Sequence, residues 1–174
     1  MYEPAEDSFF FADFLKNYFS TLKNKKIFYL DMGSGLGILS EVAKKSKIKN
    51  IFAADIDEES IKFVRGKKLH IIQSSLFSKI SKNQKFDLIT FNAPYLPEHK
   101  FDKKSDISGG KRGDEVSLKF LKQAKKHLNK NGKIFLLISS LTPYNRIEKF
   151  RPKIVARKKL FFEELLILEF GNSP

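Results

Sequence analysis

The chain has 174 residues, 41% of them hydrophobic, which is enough for one domain with a stable core and excludes a disordered chain. It has no cysteine, so disulfides and cysteine-ligated metals are excluded, and we predict no metal site. Because no apolar run is long enough to span a membrane and the opening "MYEPAEDSFF" is unlike a signal peptide, we expect a soluble, cytoplasmic, single-domain protein over residues 1–174.

The formal net charge of +13 leaves two interpretations open. A strongly positive field favours anionic partners such as RNA or ribosomal surfaces. The basic residues are nevertheless almost all lysines, scattered as in "LKNKK" and "KKHLNKNGK", which is also the pattern of solvated helix faces. The charge alone decides neither.

Along the first half of the chain, short apolar runs typical of buried strands alternate with segments whose apolar residues recur at helical spacing. This alternation predicts strands joined by helices. The opening segment 6–19 predicts a helix, with Asp7 or Ser8 as its cap. The other elements predicted here are a strand over 26–32, a helix over 37–47, a strand over 50–57 with a short helix to about Gly66, and strands over 69–74 and 85–92.

The second half continues the alternation and then changes it. A loop is predicted over about 96–113, a helix over 114–128 ended by "NKNG" at 129–132, a strand over 133–140, a turn or short helix from Pro143, and two antiparallel strands within 153–170. The order predicts an α/β fold: an open, mostly parallel, doubly wound sheet with a terminal antiparallel strand pair. Ligands of such folds bind beyond the carboxyl ends of the strands.

The loop after the first strand, "LDMGSGLG", carries Asp31, Gly33, Gly35 and Gly37. It lacks the third glycine of a dinucleotide fingerprint, because position 38 is Ile, and it has no phosphate-loop lysine. The spacing D-x-G-x-G-x-G resembles the first motif of S-adenosylmethionine (AdoMet) methyltransferases. Asp31 would then accept a hydrogen bond from the ammonium group of AdoMet. A purely structural glycine turn is the alternative.

Asp55 ends the second predicted strand, in "FAADID". A carboxylate at this point can accept hydrogen bonds from both ribose hydroxyls of a nucleotide-like cofactor. Asp57 is better placed to cap the next helix. The glycine loop and the spaced acid together favour a cofactor site over a structural turn.

The turn "NAPY", residues 92–95, follows the fourth predicted strand. A planar amide or amino nitrogen is a poor nucleophile, and a site can help it by accepting its N–H hydrogens. The Asn92 side-chain carbonyl and the Ala93 backbone carbonyl could be these acceptors. Pro94 would stiffen the turn and the Tyr95 ring could stack on the planar target. Asn and Pro are also ordinary residues at the end of a strand.

These motifs together resemble the amino-methyltransferases with the signature [N/D]-P-P-[Y/F]. The group includes HemK-like glutamine methyltransferases and adenine-N6 and guanine-N2 nucleic-acid methyltransferases. The opening "YEPAEDSFFF" resembles that of the archaeal and eukaryotic HemK-like branch, and "GGKRGDEVSLKFL" (109–121) resembles its G-G-x-x-G-x-x-V segment. The resemblance covers nearly the whole chain.

The resemblance implies a Rossmann-like class I methyltransferase. Its implied reaction is AdoMet-dependent methylation of the glutamine of the Gly-Gly-Gln loop in class-1 translation release factors. The implied substrate-binding and catalytic residues are Asn92, Pro94 and Tyr95. The implied AdoMet-binding residues are Ser8, Asp31, Gly33, Gly35, Asp55, Ser75, Leu76 and Asn92.

Two positions depart from the family pattern. Ala93 stands where the signature has its first proline, and its backbone carbonyl can still serve. Ser75, followed by Leu76, stands where the family usually has an aspartate that accepts from the adenine amino group. Serine accepts more weakly, so a lower affinity for AdoMet is expected.

The resemblance also implies a partner. Eukaryotic and some archaeal relatives work as heterodimers with a small zinc-binding activator subunit, which pairs along an edge strand. Here that strand would lie near His70 to Ser75, and an apolar edge strand is a pairing liability unless it is covered. Shielding by the protein's own helix is the alternative.

Three other activities stay open. An RNA or DNA amino-methyltransferase would suit the positive charge, although the chain leaves little room for a target-recognition module. A protein lysine methyltransferase could use the same pocket, but the amide acceptors suit a planar NH₂ group better. A catalytically dead subunit is disfavoured by the intact Asp31, Asp55, Asn92 and Tyr95.

Overall fold

The computed structural model describes residues 4–67, 69–95 and 110–171. Five α-helices and seven β-strands follow one another in the predicted alternation. The helices are α1 (Glu6–Thr21), α2 (Ile38–Lys45), α3 (Glu58–Gly66), α4 (Glu115–Ala124) and α5 (Tyr144–Ile147). The strands are β1 (Phe28–Met32), β2 (Asn50–Asp55), β3 (His70–Gln73), β4 (Phe86–Asn92), β5 (Leu128–Ser139), β6 (Lys153–Lys159) and β7 (Glu164–Gly171).

The strands form one sheet in the order β3-β2-β1-β4-β5-β7-β6. The first five strands run parallel, and β7 pairs antiparallel with both β5 and β6. The predicted fold class, with its terminal antiparallel pair, is therefore confirmed. The strand order reverses at β1, which pairs with β2 on one side and β4 on the other. A ligand cleft is expected at that switch point.

Both faces of the sheet are buried, as β5 shows. Its residues Ile134, Leu136 and Ile138 belong to one apolar cluster, whereas Phe135 and Leu137 belong to another on the opposite face. Side chains alternate across a strand, so the continuous apolar run supplies both clusters. The first cluster is covered by α4 and the second by α1. None of the described helices is long and apolar enough to cross a membrane.

The first helix begins differently from the prediction. Its N-cap is Ala5, whose side chain makes no capping hydrogen bond, so the assignment of Asp7 or Ser8 as the cap was wrong. Both residues lie in the first turn of α1 and are buried. They are turned toward the end of β4, where Asp7 accepts a hydrogen bond from Asn92.

The helix predicted over 114–128 is also shorter, and "NKNG" does not end it. Helix α4 stops at Ala124, a 3₁₀ turn covers Lys125–His127, and β5 begins at Leu128. The Asn129 amide donates to Asp87 Oδ1 at 2.6 Å, which holds this segment beside β4 across a β-bulge. A long-range pairing therefore overrides the local turn signal. Most of the predicted loop 96–113 lies outside the described residues.

Candidate active site

A cavity of about 420 Å³ opens at the carboxyl ends of β1, β2 and β4, closed on one side by the start of α1. All the residues predicted from the sequence for the site line this cavity: Ser8, Asp31, Gly33, Gly35, Asp55, Ser75, Leu76, Asn92, Pro94 and Tyr95. They come from five separate segments of the chain, which the parallel sheet brings to one edge.

The glycine loop is fixed to β2 by its backbone. The Gly33 and Ser34 N–H groups both donate to the Ala54 carbonyl, at 2.7 and 3.1 Å. Gly33 and Gly35 have φ angles of +62° and +50°, which glycine adopts without the strain other residues incur. A Cβ atom added at Gly35 would meet nothing within 4 Å, so the backbone there is open to a ligand.

Asp31, the last residue but one of β1, lies beneath this loop and is fully buried. Its Oδ2 accepts hydrogen bonds from the Ser40 backbone N–H at 3.0 Å and the Ser40 hydroxyl at 2.6 Å. Both of these hydrogen bonds go to Oδ2, and neither goes to Oδ1. Burial raises the pKa of the Asp31 carboxyl to about 7, even though the hydrogen bonds from Ser40 act to lower it. A cation bound at this carboxylate would relieve the cost of ionisation.

Asp55 connects the end of β2 to the glycine loop. Its Oδ2 accepts from the Gly35 N–H at 2.7 Å and its Oδ1 from the Asp57 N–H at 2.9 Å. Each oxygen keeps a second lone pair for a ligand hydroxyl. Burial raises the pKa of Asp55, and the two backbone N–H groups oppose that rise. Asp57 accepts from the Ser60 N–H at 2.8 Å and caps α3, as predicted.

The Asn92 amide is oriented by the start of α1. Its Nδ2 donates to Asp7 Oδ2 at 3.0 Å and lies 3.5 Å from the Ser8 hydroxyl. A carboxylate can only accept hydrogen bonds, so the NH₂ group must face Asp7. The other amide atom, Oδ1, is buried and has no hydrogen-bond partner among the described residues. Asn92 lines the cavity and is thus left with a buried acceptor that no described residue pairs.

The loop after β3 is strained where it reaches the cavity. Leu76 has a φ angle of +51°, which is rare for a residue with a branched side chain. The Ser74 hydroxyl donates to the Leu76 carbonyl at 2.6 Å, and the Ser74 N–H donates to the Asp55 carbonyl at 2.7 Å. These bonds hold Ser75 and Leu76 beside Asp55 at the far end of the cavity.

Several cavity residues were not predicted as part of the site. Asp7 was assigned only as a helix cap, although "AEDS" places it next to Ser8. Ser34, between two glycines of the loop, has a buried hydroxyl without a partner among the described residues, and that position was the available signal. Val116 and Lys119 of α4 also line the cavity. Val116 is the valine of the G-G-x-x-G-x-x-V segment, which was the available signal, whereas no local motif marks Lys119.

The cavity fits the amino-acid and ribose parts of AdoMet. Asp31 Oδ1, which takes neither of the Ser40 hydrogen bonds, suits an ammonium group, and the Ser34 hydroxyl, unpaired among the described residues, suits a further polar group. Gly35 leaves backbone open where a side chain would intrude, and both oxygens of Asp55 can accept from ribose hydroxyls.

Several known proteins similar in sequence are named as protein-glutamine or release-factor methyltransferases. A Methanocaldococcus jannaschii relative, provisionally named protein N5-glutamine methyltransferase, is 37% identical over 97% of this chain and 90% of its own length. The eRF1 methyltransferase catalytic subunit of Schizosaccharomyces pombe is 26% identical over 79% of this chain and 71% of its own. A release factor glutamine methyltransferase of Aquifex aeolicus is 28% identical over 67% of this chain, which matches 47% of that protein.

Solved methyltransferases share the fold. A ribosomal protein methylase of Lactobacillus delbrueckii superposes with a TM-score of 0.67 at 19% identity, covering 98% of this chain and 81% of its own. A 16S rRNA N2 methyltransferase of Thermus thermophilus gives 0.68 at 18% identity, covering 98% and 44%. The family model "Methyltransferase small domain" matches residues 12–163. The chain therefore belongs to the methyltransferase small domain family and is an enzyme whose methyl donor is S-adenosylmethionine.

Proposed function

We propose that this enzyme methylates the side-chain amide nitrogen of a protein glutamine. The observation that carries the proposal is the Asn92 side chain, whose Oδ1 is buried, unpaired among the described residues and fixed by the bond from Nδ2 to Asp7. A buried acceptor without a partner is costly, and a ligand N–H offsets that cost. Asn92 Oδ1 lies next to the proposed methyl-donor site. It suits a substrate nitrogen that still carries N–H hydrogens when it reacts, as the amide nitrogen of glutamine does.

The turn at the end of β4 holds the acceptor group. Asn92 Oδ1 and the Ala93 backbone carbonyl accept the two N–H hydrogens of the glutamine amide. Pro94 restricts the turn, and Tyr95 packs against the apolar cluster under α1, so its ring is held in place to stack on the amide plane. Only the carbonyl of Ala93 is used, which explains why alanine can stand in place of the usual proline.

The opposite part of the cavity holds the methyl donor. Asp31 binds the ammonium group beside Gly33 and Gly35, Asp55 binds the ribose hydroxyls, and Ser8 closes over the site from α1. Ser75 and Leu76 lie against the adenine. Bound AdoMet would supply an electrophilic methyl group: transfer to the amide nitrogen would break the bond from sulfur to the methyl carbon, leave S-adenosylhomocysteine and release one amide proton to solvent. The protein contributes mainly position, because two groups held in register react far faster than free ones.

A class-1 release factor is the protein substrate we propose, with the glutamine of its Gly-Gly-Gln loop as the target. The support is the set of relatives named for release-factor or eRF1 methylation, together with the "YEPAEDS" opening. Release factors act in translation, so the proposed location is the cytoplasm. A glutamine side chain on an exposed loop can enter a cavity that a folded domain cannot.

We also propose a small zinc-binding activator as a partner along β3. The strand stands at the edge of the sheet, as predicted, so one side of its backbone is open to another chain. Phe63, which is 45% exposed, lies in α3, the helix that precedes β3 in the chain. The Schizosaccharomyces pombe relative is named a catalytic subunit, a name that implies a second subunit in that enzyme.

Nucleic-acid methylation is the second candidate, and the net charge of +13 favours it. Adenine and guanine also present a planar NH₂ group, so the Asn92 acceptor does not separate them from glutamine. A lysine ammonium is not planar and would leave the Tyr95 ring without a flat partner. The substrate must therefore be decided by direct competition.

The test is methyl transfer from radiolabelled AdoMet, with release factor or total RNA from the same organism as acceptor. Each reaction is run with and without a candidate zinc-binding subunit. We expect label in the release factor and none when its Gly-Gly-Gln glutamine is replaced by alanine. Label in RNA, or label that survives the glutamine replacement, would contradict the proposal.

A further inference from the structure

Two adjacent phenylalanines lie almost entirely in solvent at the turn between β6 and β7. Phe161 is 92% exposed and Phe162 87%, the highest values among the exposed large hydrophobic residues described. Their rings touch edge to face with centroids 4.7 Å apart. The turn is closed by a hydrogen bond from the Leu160 N–H to the Glu163 carbonyl at 2.8 Å. Paired exposed aromatics of this kind mark interaction sites more often than single ones.

The turn lies at the carboxyl ends of the parallel strands, where the cavity also opens. Strand β7 starts at Glu164, whose carbonyl accepts from the Ser140 N–H at 2.7 Å just beyond the end of β5. The Glu164 N–H returns a bond to the Ser140 hydroxyl at 2.9 Å. The carboxyl end of β5 and the turn are therefore side by side. Leu141, 56% exposed, follows directly and extends the apolar surface.

The turn also lies toward the amide-binding side of the cavity. Lys158 at the end of β6 forms an ion pair with Glu6 at 2.9 Å, and the next two residues of α1, Asp7 and Ser8, line the cavity. Leu160 and Tyr95 pack against the same apolar cluster. Asp55, in contrast, lies at the other end of the cavity, on β2, with the three strands β1, β4 and β5 between it and β7.

We propose that Leu141, Phe161 and Phe162 form a docking surface for the protein that carries the target glutamine. This inference rests on the proposed function. A cavity of about 420 Å³ can enclose only a small part of a protein substrate, so such a substrate must gain most of its affinity from contacts outside the cavity. Exposed aromatic side chains are the usual anchors of such contacts.

The charges around the turn favour a protein over a nucleic acid. Lys159 is exposed beside the turn, but the other two basic residues that end β6, Arg157 and Lys158, are paired with Glu164 and Glu6 at 3.0 and 2.9 Å. Their charges are thus partly neutralised within the protein. Nucleic-acid sites combine aromatic rings with cations that are free to meet phosphates. The apolar rings dominate this surface.

The test is the double variant Phe161→Ser, Phe162→Ser, compared with wild type on two substrates. One is the complete release factor, and the other is a short peptide spanning its Gly-Gly-Gln loop. We expect KM for the complete protein to rise about ten-fold or more, as for loss of interface anchors. Activity on the peptide and the affinity for AdoMet should stay unchanged. Phe28→Ser is the matched control, because Phe28 is 40% exposed at the amino end of β1.

The outcomes separate the docking role from the proposed function. An unchanged KM for the complete release factor, or an equal loss with the peptide, overturns the docking surface and leaves glutamine methylation standing. A change in oligomeric state on light scattering would assign the phenylalanines to a second copy of the chain and also overturns it. A wild-type enzyme that methylates RNA and no protein overturns the proposed function and the docking role together.

Discussion

Asp7 Oδ2 accepts a hydrogen bond from Asn92 Nδ2 at 3.0 Å, joining the first turn of α1 to the end of β4. Asp7 is 4% exposed, and its other oxygen accepts from the Ser8 N–H at 2.7 Å. The carboxylate therefore fixes which end of the Asn92 amide faces away from it. In the proposed mechanism that end, Oδ1, receives the substrate amide. Asp7 acts as a positioning residue, through Asn92.

Replacing Asn92 by alanine tests whether the turn serves the substrate. Because the substrate amide loses its acceptor while Asp31 and Asp55 remain, kcat should fall about 100-fold or more and the dissociation constant of AdoMet should change little. Steady-state kinetics and titration calorimetry measure the two effects. Equal losses in turnover and in AdoMet binding would mean that Asn92 holds the methyl donor and not the substrate.

Exchanging the two partners tests the positioning role of Asp7. Asn92→Asp alone places two carboxylates about 3 Å apart and should nearly abolish activity. Combining it with Asp7→Asn restores one donor and one acceptor, with their positions reversed. We expect the double variant to be at least about ten-fold more active than Asn92→Asp alone. A double variant no more active than the weaker single variant would contradict a direct pairing. Melting temperatures of all three variants control for folding.

Replacing Asp55 by alanine tests the ribose site. The variant loses charge-assisted acceptors, so AdoMet binding should weaken by at least about 1.5 kcal/mol. The Gly35 and Asp57 N–H groups also lose their acceptor, so the melting temperature should fall as well. Asp55→Asn keeps one acceptor oxygen, so its affinity for AdoMet should lie between those of Asp55→Ala and the wild type. An unchanged dissociation constant in Asp55→Ala would remove this residue from the site.

The raised pKa of Asp31 predicts a pH-dependent affinity for AdoMet. Burial raises the pKa of this carboxyl from its ordinary 3.8 to about 7, so the free enzyme partly retains the proton near neutral pH. The ionised form binds an ammonium group, so affinity should rise as the pH rises through about 7. Below that pH, binding should release a proton, which calorimetry in buffers of different ionisation enthalpy detects. Asp31→Asn should bind weakly and without this step. A pH-independent affinity in wild type would contradict the assignment.

The raised pKa of Asp31 also makes the stability of the free protein depend on pH. A carboxyl that holds its proton more tightly when folded binds more protons in the native state than in the unfolded state between pH values of 3.8 and about 7. Its contribution to the free energy of unfolding is therefore greatest at low pH and is lost as the pH rises through that window. Bound AdoMet should reduce this loss, since a cation favours the ionised form.

Two glycines of the same loop should respond differently to alanine. Both have positive φ, so each substitution costs about 1 kcal/mol of backbone strain. A Cβ at Gly33 would also lie 2.7 Å from the Phe91 ring, whereas one at Gly35 meets no atom. Gly33→Ala should therefore lower the melting temperature more than Gly35→Ala. Gly35→Ala should mainly weaken AdoMet binding, because its methyl group projects into the cavity. Equal melting temperatures with unchanged AdoMet affinity in Gly35→Ala would contradict the open-backbone interpretation.

The features predicted well from the sequence are those that depend on residues close together in the chain. Apolar runs of strand length, the glycine loop and Asp57 before "EES" each depend on near neighbours, and the structure places them as expected. The parallel sheet then brings the strand ends together, which is why residues from distant segments meet in one cavity. The fold class alone was therefore enough to predict that these residues meet at the ends of the strands.

The features that were missed depend on distant contacts. Asp7 looks like a helix cap because its partner, Asn92, is 85 residues away. "NKNG" looks like a helix end until β4 and Asp87 are present to hold it as strand. The two phenylalanines at 161 and 162 continue the apolar run of 160–170, and only the hairpin geometry shows that they face solvent.

The central claim is most directly tested by locating the methyl group. The enzyme and AdoMet are incubated with release factor from the same organism, and the products are digested and fragmented in a mass spectrometer. We predict one added methyl group on the side-chain nitrogen of the Gly-Gly-Gln glutamine, absent with the Asn92→Ala enzyme. A methyl group on a lysine, or an unmodified release factor alongside methylated RNA, would contradict the account.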